Sequence, residues 1–276
     1  LIVRVSRYLS YLDAAACALL VLDRFILKLA YIINAAIHAD SNPTDTLSMM
    51  AYMAYNQRSL FAIGISYTVR LALFGTAIAF VLALLMVFLR IQEPDKRDND
   101  FVKFLKIVAN KFSRFYIFVI RGTPMMVQLL IMSLVIFASS RNYTMIGILA
   151  LGINSGAYVS EIVRSGLMSV DPGQMEAGRS LGMNYFTTMR FIVIPQAIKN
   201  ILPALGNEFI TLLKDTSLIT VIGGKEMTYA AKAVIAKTYQ GLFPLFGIAL
   251  MYLLLVMLFS KLLSVLERRL RQSDRR

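Results

Sequence analysis

The chain has 276 residues, 58% of them hydrophobic and only 16% charged, with one histidine and one cysteine, and its mean hydropathy is +0.65. Soluble domains carry about 25% charged residues, so this composition excludes an ordinary soluble enzyme and points to an all-α polytopic membrane protein. The lone Cys17 and His38 exclude a disulfide framework and a metal site built on those residues. The net charge of +13 fits loop bias in a membrane protein better than nucleic-acid binding, since no basic module with aromatic platforms is visible.

In chain order, Arg4 and Arg7 precede an apolar stretch from Tyr11 to Ile37, which predicts a transmembrane or interfacial helix. It is too long for a signal peptide and lacks a small-residue cleavage site. Its Asp13, Asp23, Arg24 and Lys28 are costly in lipid unless they pair or face a bundle. Residues 39–58 are turn-rich, then rich in Met and Tyr suited to an interface. A span is expected over 59–89, ended by the charged loop IQEPDKRDND with its Pro94. Residues 101–114 alternate apolar side chains with Lys103, Lys106, Lys111 and Arg114, the pattern of a basic helix lying on the cytoplasmic membrane surface.

Further spans are expected from Tyr116 to Ser139, containing Arg121-Gly122-Thr123-Pro124, and from Thr144 to Val163, with Asn154, Ser155 and Gly156 near its middle. A span at 192–222, a polar loop at 223–240, a last span at 242–263 and the tail ERRLRQSDRR complete the chain. With the N-terminus inside, 20 of the 29 Lys and Arg residues fall on inner segments and 5 on outer loops. That asymmetry predicts six spans, five core spans plus the extra N-terminal helix, with both termini cytoplasmic.

Between the fourth and fifth spans lies a polar segment, DPGQMEAGRSLGMNYFTTMRFIVIP at 171–195. Asp171 and Pro172 start a helix, and Gln174 is placed to complete a capping box. Gly182 suits the left-handed turn that ends it, and Asn184 can cap a second short helix running into Phe191. Gln174, Ala177, Gly178 and Leu181 share a face on which small residues allow close approach, either to the rest of the chain or to a partner.

The span at 192–222 carries Glu208, Lys214 and Asp215. On insertion scales a central charge costs about 2.5–3.5 kcal/mol, so such groups face a bundle interior or a watery path. Glu208, Thr211 or Leu212, and Asp215 line one side of the helix, and Asn207, Thr211 and Lys214 the adjacent one. Two readings stay open: buried ion pairs that fix helix register, or a polar lining for a zwitterionic solute. No G-x-x-x-x-G-K-[ST] motif is present to cradle nucleotide phosphates, and no Ser/His/Asp set or metal-binding carboxylate motif is visible. Intramembrane charge also suits an ion-coupled secondary transporter, but such a carrier has no need of the capped segment at 171–190.

Glu176-Ala177-Gly178, Gly182, nine residues and then Ile192-x-Ile194-Pro195 resemble the "EAA" signature of permease subunits of bacterial ATP-binding cassette importers. Gly178 stands for the second Ala and Ile194 for the usual Leu. Together with RGTPMMVQLL at 121–130, INSGAYVSEIVRSG at 153–166 and GNEFITLLKDTSLITVIG at 206–223, the chain resembles the polar amino acid branch of that family. The match covers residues 59–270, as a type I importer bundle, with residues 1–58 as an extension and 271–276 as a tail; the lengthened basic loop at 91–114 departs from the common pattern.

The resemblance implies a permease of the bacterial inner membrane that works by alternating access, without ATPase activity of its own and without a cofactor. It implies two ATPase subunits, a second permease subunit (the same chain or another), an external solute-binding protein and an amino acid substrate. It further implies that Gln174, Glu176, Ala177, Gly178, Ser180, Leu181 and Gly182 form the coupling segment that docks on the ATPase. The expected substrate path is Asn154, Asn207, Glu208, Thr211, Lys214 and Asp215.

Overall fold

A computed structural model describes residues 55–91, 94–95 and 98–272. The expected N-terminal helix at 11–37 and the end of the tail lie outside the described residues. Every regular element among the described residues is helical: α1 Arg58–Ile91, α2 Asp100–Gly122, α3 Met125–Ile131, α4 Tyr143–Met168, α5 Pro172–Ser180, α6 Tyr185–Thr188, α7 Ile194–Asp215, α8 Met227–Thr238 and α9 Leu242–Gln272. The described residues divide into two compact units, one of residues 63–230 with 248–272, the other of residues 55–62 with 231–247. Within the smaller unit Arg58 donates to the Tyr55 carbonyl at 2.9 Å and lies over that ring.

In the larger unit the core forms around α4. One apolar cluster joins Ala79, Ala83 and Val87 of α1 to Val159 and Val163 of α4 and to Ala197 and Ile201 of α7. A second joins Leu71 of α1, Leu129 of α3, Leu151 of α4 and Leu212 and Leu213 of α7. Small residues set the spacing. Gly152 and Gly156, one turn apart, let α4 lie against α1: a Cβ at 152 would fall 2.6 Å from the Ile78 Cγ2, and one at 156 would fall 3.2 Å from the Leu82 Cβ. In a bilayer, where lipid is as apolar as leucine, such close van der Waals packing is what holds helices together.

Among the described residues three helices are long and apolar enough to cross a membrane: Arg58–Ile91, Tyr143–Met168 and Leu242–Arg268. A fourth is the pair formed by α2 and the segment Met125–Ile136, bent by 107°. The bend follows from the sequence. Thr123 precedes Pro124, and both take extended backbone angles, because proline's ring disfavours helix at the preceding residue and proline itself lacks an N–H. The Gln128 amide then donates to the freed Ile120 carbonyl at 2.8 Å and to the Thr123 carbonyl at 3.1 Å.

Three expectations change. The basic stretch 101–114 is not a separate surface helix; it runs unbroken into the expected next span as α2. No Gly or Pro interrupts it, and polar side chains fix it to α1: Ser113 donates to the Met86 carbonyl at 2.9 Å and Asn110 to the Arg90 carbonyl at 2.8 Å. Ahead of α2, the Lys106 ammonium hydrogen-bonded to Asp98, helped by the Asp95 amide, holds the Asp98 carboxyl below the ordinary aspartate range.

The expected span at 192–222 is a composite rather than one apolar helix. A helical run starts at Tyr185, passes through a π-helical turn at Met189–Val193 and α7, and ends as a 3-10 helix at Thr216–Ile222. Its polar residues make it two-faced rather than uniformly apolar. The expected polar loop at 223–240 contains α8, whose start is held by Glu226, a fully buried carboxylate. Glu226 accepts from the amides of Thr228 at 2.8 Å and Tyr229 at 2.9 Å, from the Tyr252 hydroxyl at 2.8 Å and from the Thr220 hydroxyl.

Candidate functional site

The bend between α2 and α3 opens a cavity of about 480 Å³ in the larger unit, within the 300–1,000 Å³ range of small-molecule sites. Arg121, Thr123, Asn154, Tyr158, Glu208, Thr211 and Asp215 supply its polar lining. Four of the six residues expected on a substrate path thus converge: Asn154, Glu208, Thr211 and Asp215. Asn207 and Lys214 are exposed and are not among the lining residues.

Nearby contacts place most of the lining groups. The Asn154 amide donates to the Gln128 Oε1 at 3.0 Å, which ties α4 to the residue that closes the bend. Ser155 donates to the Glu208 Oε1 at 2.6 Å, while the other Glu208 oxygen accepts no bond among the described residues. The Thr211 hydroxyl donates back to the Asn207 carbonyl at 3.1 Å. Asp215 makes no side-chain hydrogen bond among the described residues, and it ends α7 where the 3-10 segment begins. Arg121 stacks over the Tyr158 ring, its guanidinium carbon 5.2 Å from the ring centroid.

The cation of this site is therefore Arg121, which the helical wheel of 206–223 could not supply. Its signal was the Arg-Gly-Thr-Pro string, whose proline forces the break that turns the arginine into the hollow. A lining with two carboxylates, a guanidinium and neutral donors can hold an ammonium and a carboxylate at once.

The second candidate site is the segment at 171–195. Asp171 caps α5, its Oδ1 accepting from the Gly173 amide at 2.8 Å. The expected capping box does not close: Gln174 instead accepts from the Gln196 side chain at 3.2 Å, joining α5 to α7. The helix ends in the expected left-handed turn, with Gly182 at φ 77° and the Met183 amide bonded to the Gly178 carbonyl at 3.0 Å. Asn184 caps α6 as expected, its Oδ1 accepting from the Thr187 amide at 2.9 Å.

The segment's two faces differ. Gly178 is buried on Thr188, and a Cβ there would fall 2.5 Å from the Thr188 Cγ2. Asn200 of α7 donates to Ser169 at 2.8 Å, adding a second tie between α7 and the chain around α5. Outward, Glu176, Ala177, Ser180, Leu181 and Gly182 are exposed. Leu181 is 79% and Phe186 82% exposed. Leu181 and Phe186 are thus large apolar side chains held open on a segment with no lipid-length apolar run.

Comparison with known proteins places these features in a family context. Residues 103–272 match the model of the binding-protein-dependent transport system inner membrane component. The arginine transport system permease protein ArtQ of Bacillus subtilis is 34% identical over 216 residues, covering 76% of this chain and 92% of that protein. The glutamine transport system permease protein GlnP of Escherichia coli K12 is 35% identical over 168 residues, covering 59% of this chain and 77% of that one. A crystal structure of an amino acid ABC transporter with histidines superposes with a TM-score of 0.71 at 42% identity, covering 82% of this chain and 99% of that one.

Proposed function

The chain belongs to the binding-protein-dependent transport system inner membrane component family, a permease subunit of an ATP-binding cassette importer, and from that premise we propose that a polar amino acid crosses through the cavity at the α2–α3 bend. The observation that carries this is the convergence of Glu208, Asp215 and Arg121 on one 480 Å³ hollow. A zwitterion needs acceptors for its ammonium and donors for its carboxylate. Glu208 and Asp215 retain open acceptor oxygens, and Arg121 with the second amide proton of Asn154 supplies donors. The amino acid relatives support the same substrate class.

The segment at 171–190 couples this cavity to ATP. Its exposed Glu176, Ala177, Ser180, Leu181 and Gly182, flanked by Phe186, form the surface offered to a separate ATPase subunit, two copies serving the assembled importer. Gln174 and Gly178 act on the inner side, through Gln196 and Thr188. From there one helical run, 185–222, carries both the contact and the cavity carboxylates. Closing of the ATPase pair then moves this run as a unit, and the cavity alternates between outward and inward access. A second permease subunit completes the membrane part and a solute-binding protein delivers outside. The excess of Lys and Arg on 90–111, 164–199 and 261–276 supports cytoplasmic termini.

Glu208→Gln and Asp215→Asn test the path, because they keep shape while removing charge. Uptake is expected to fall by about tenfold or more in each, as for loss of a charge-assisted bond worth about 1.5–3 kcal/mol, with ATPase co-purification unchanged. Normal uptake together with a lowered melting temperature would move both carboxylates to the scaffold and leave the path elsewhere.

A further inference from the structure

Beside the cavity, on its α1 side, lies a second hollow of about 550 Å³, lined by Arg90, Arg114, Phe118, Arg121, Tyr158 and Glu161 among others. Its charge is unbalanced. The single lining carboxylate, Glu161, is already engaged at both oxygens, by Arg90 on one and by Arg164 at 2.8 and 3.0 Å on the other. Arg114 makes no hydrogen bond or ion pair among the described residues, and Arg121 meets only the Tyr158 ring. With Arg121 shared with the solute cavity, Arg114 is the guanidinium left over, and such a charge in the wall of a membrane protein is costly unless an anion joins it.

We propose that this hollow is a binding site for the phosphate headgroup of an anionic phospholipid of the cytoplasmic leaflet. Two further observations choose a lipid over a soluble phosphate. The wall that flanks Arg114 is apolar and open: Phe118 is 77% and Phe115 66% exposed, so acyl chains can lie along α2 where the headgroup meets the arginines. The hollow also sits at the end of the membrane where such lipids are found. Arg90 is in the last turn of α1, and Asn110 of α2 is bonded to the Arg90 carbonyl, which sets Arg114 one turn inward from the cytoplasmic boundary given by the charge asymmetry. Basic pockets between spans on this side are suited to such headgroups, each arginine near the surface strengthening binding about fivefold.

The hollow shares Arg121 and Tyr158 with the solute cavity, so the test changes Arg114, which lines this hollow alone. Its test uses the assembled transporter in detergent, titrated with phosphatidylglycerol or phosphatidylethanolamine and read by native mass spectrometry. Retention of phosphatidylglycerol is expected to exceed that of phosphatidylethanolamine, and Arg114→Gln is expected to weaken the former about fivefold while leaving the latter unchanged. Arg114→Lys, which keeps the charge, is expected to restore most of the retention. Equal retention of the two lipids, or an Arg114→Gln complex that holds phosphatidylglycerol like the parent, overturns the proposal. Displacement of the lipid by free glycerol phosphate at matching concentration overturns the lipid assignment, since the apolar wall then contributes nothing. Retention by the isolated permease but not by the assembled transporter also overturns it, by showing that a protein partner covers the hollow.

Discussion

Gly178→Val is expected to lower solute uptake by about tenfold or more while the permease still reaches the membrane. Its Cβ would fall 2.5 Å from the Thr188 Cγ2 and 2.7 Å from the Thr188 Oγ1. Thr188 cannot retreat easily: it is fully buried, and its hydroxyl is bonded to the Asn184 carbonyl at 3.0 Å. A β-branched intruder in such a contact costs about 1–3 kcal/mol, and the cheapest escape is to swing α5 away from α6. That separates the proposed docking surface from the helical run that leads to Glu208. Glu176→Lys is the companion substitution. Glu176 is exposed, so the fold is expected to hold within about 0.5 kcal/mol, and any loss of ATPase co-purification reports the surface alone. Full uptake and co-purification in both variants would remove the coupling role from 171–190.

Glu226→Leu is expected to have the largest effect on stability. The carboxylate accepts four bonds, from the Thr220 and Tyr252 hydroxyls and from the first free amides of α8. An apolar replacement leaves four donors without this acceptor, Thr220 buried and the other three half-buried, at about 1–3 kcal/mol for each that water cannot reach. Failure to accumulate, or a melting temperature lowered by about 5 °C or more, is the expected result. Tyr252→Phe removes a single donor and leaves the other three bonds in place, so its expected cost is about 1 kcal/mol. Parent-like melting of the Leu variant would mean that water or a partner group replaces the carboxylate. The location gives the network a mechanical meaning: Thr220 lies on the 3-10 segment that continues α7, so Glu226 anchors the far end of the run whose near end is Thr188.

Much of this was legible in the sequence wherever the signal is local. The start at Asp171, the turn at Gly182 and the cap at Asn184 depend on neighbouring backbone, and each stands as read. The converging set of Asn154, Glu208, Thr211 and Asp215 was legible because intramembrane polar groups are rare and must face something polar. Less local features were not legible. Gln174 leaves its capping box for Gln196, a partner the spacing within α5 cannot reveal. A helical wheel places Lys214 on a polar face but cannot say which face a neighbouring helix covers, and α4 and the bend cover the side of Glu208 and Asp215. Arg121 enters through the proline-forced break in another helix. Glu226 read as part of a polar loop, because its four partners come from three different stretches of chain.

The most direct measurement is solute accumulation in proteoliposomes that hold this chain, assembled with its permease, ATPase and solute-binding partners. Accumulation is expected only with ATP supplied on the ATPase side, and it is expected to stop when the ATPase is inactivated, whatever proton or sodium gradient is imposed. Accumulation driven by an ion gradient in vesicles holding the permease without ATPase would contradict the ATP-driven mechanism and make the carboxylates of α7 an ion path instead.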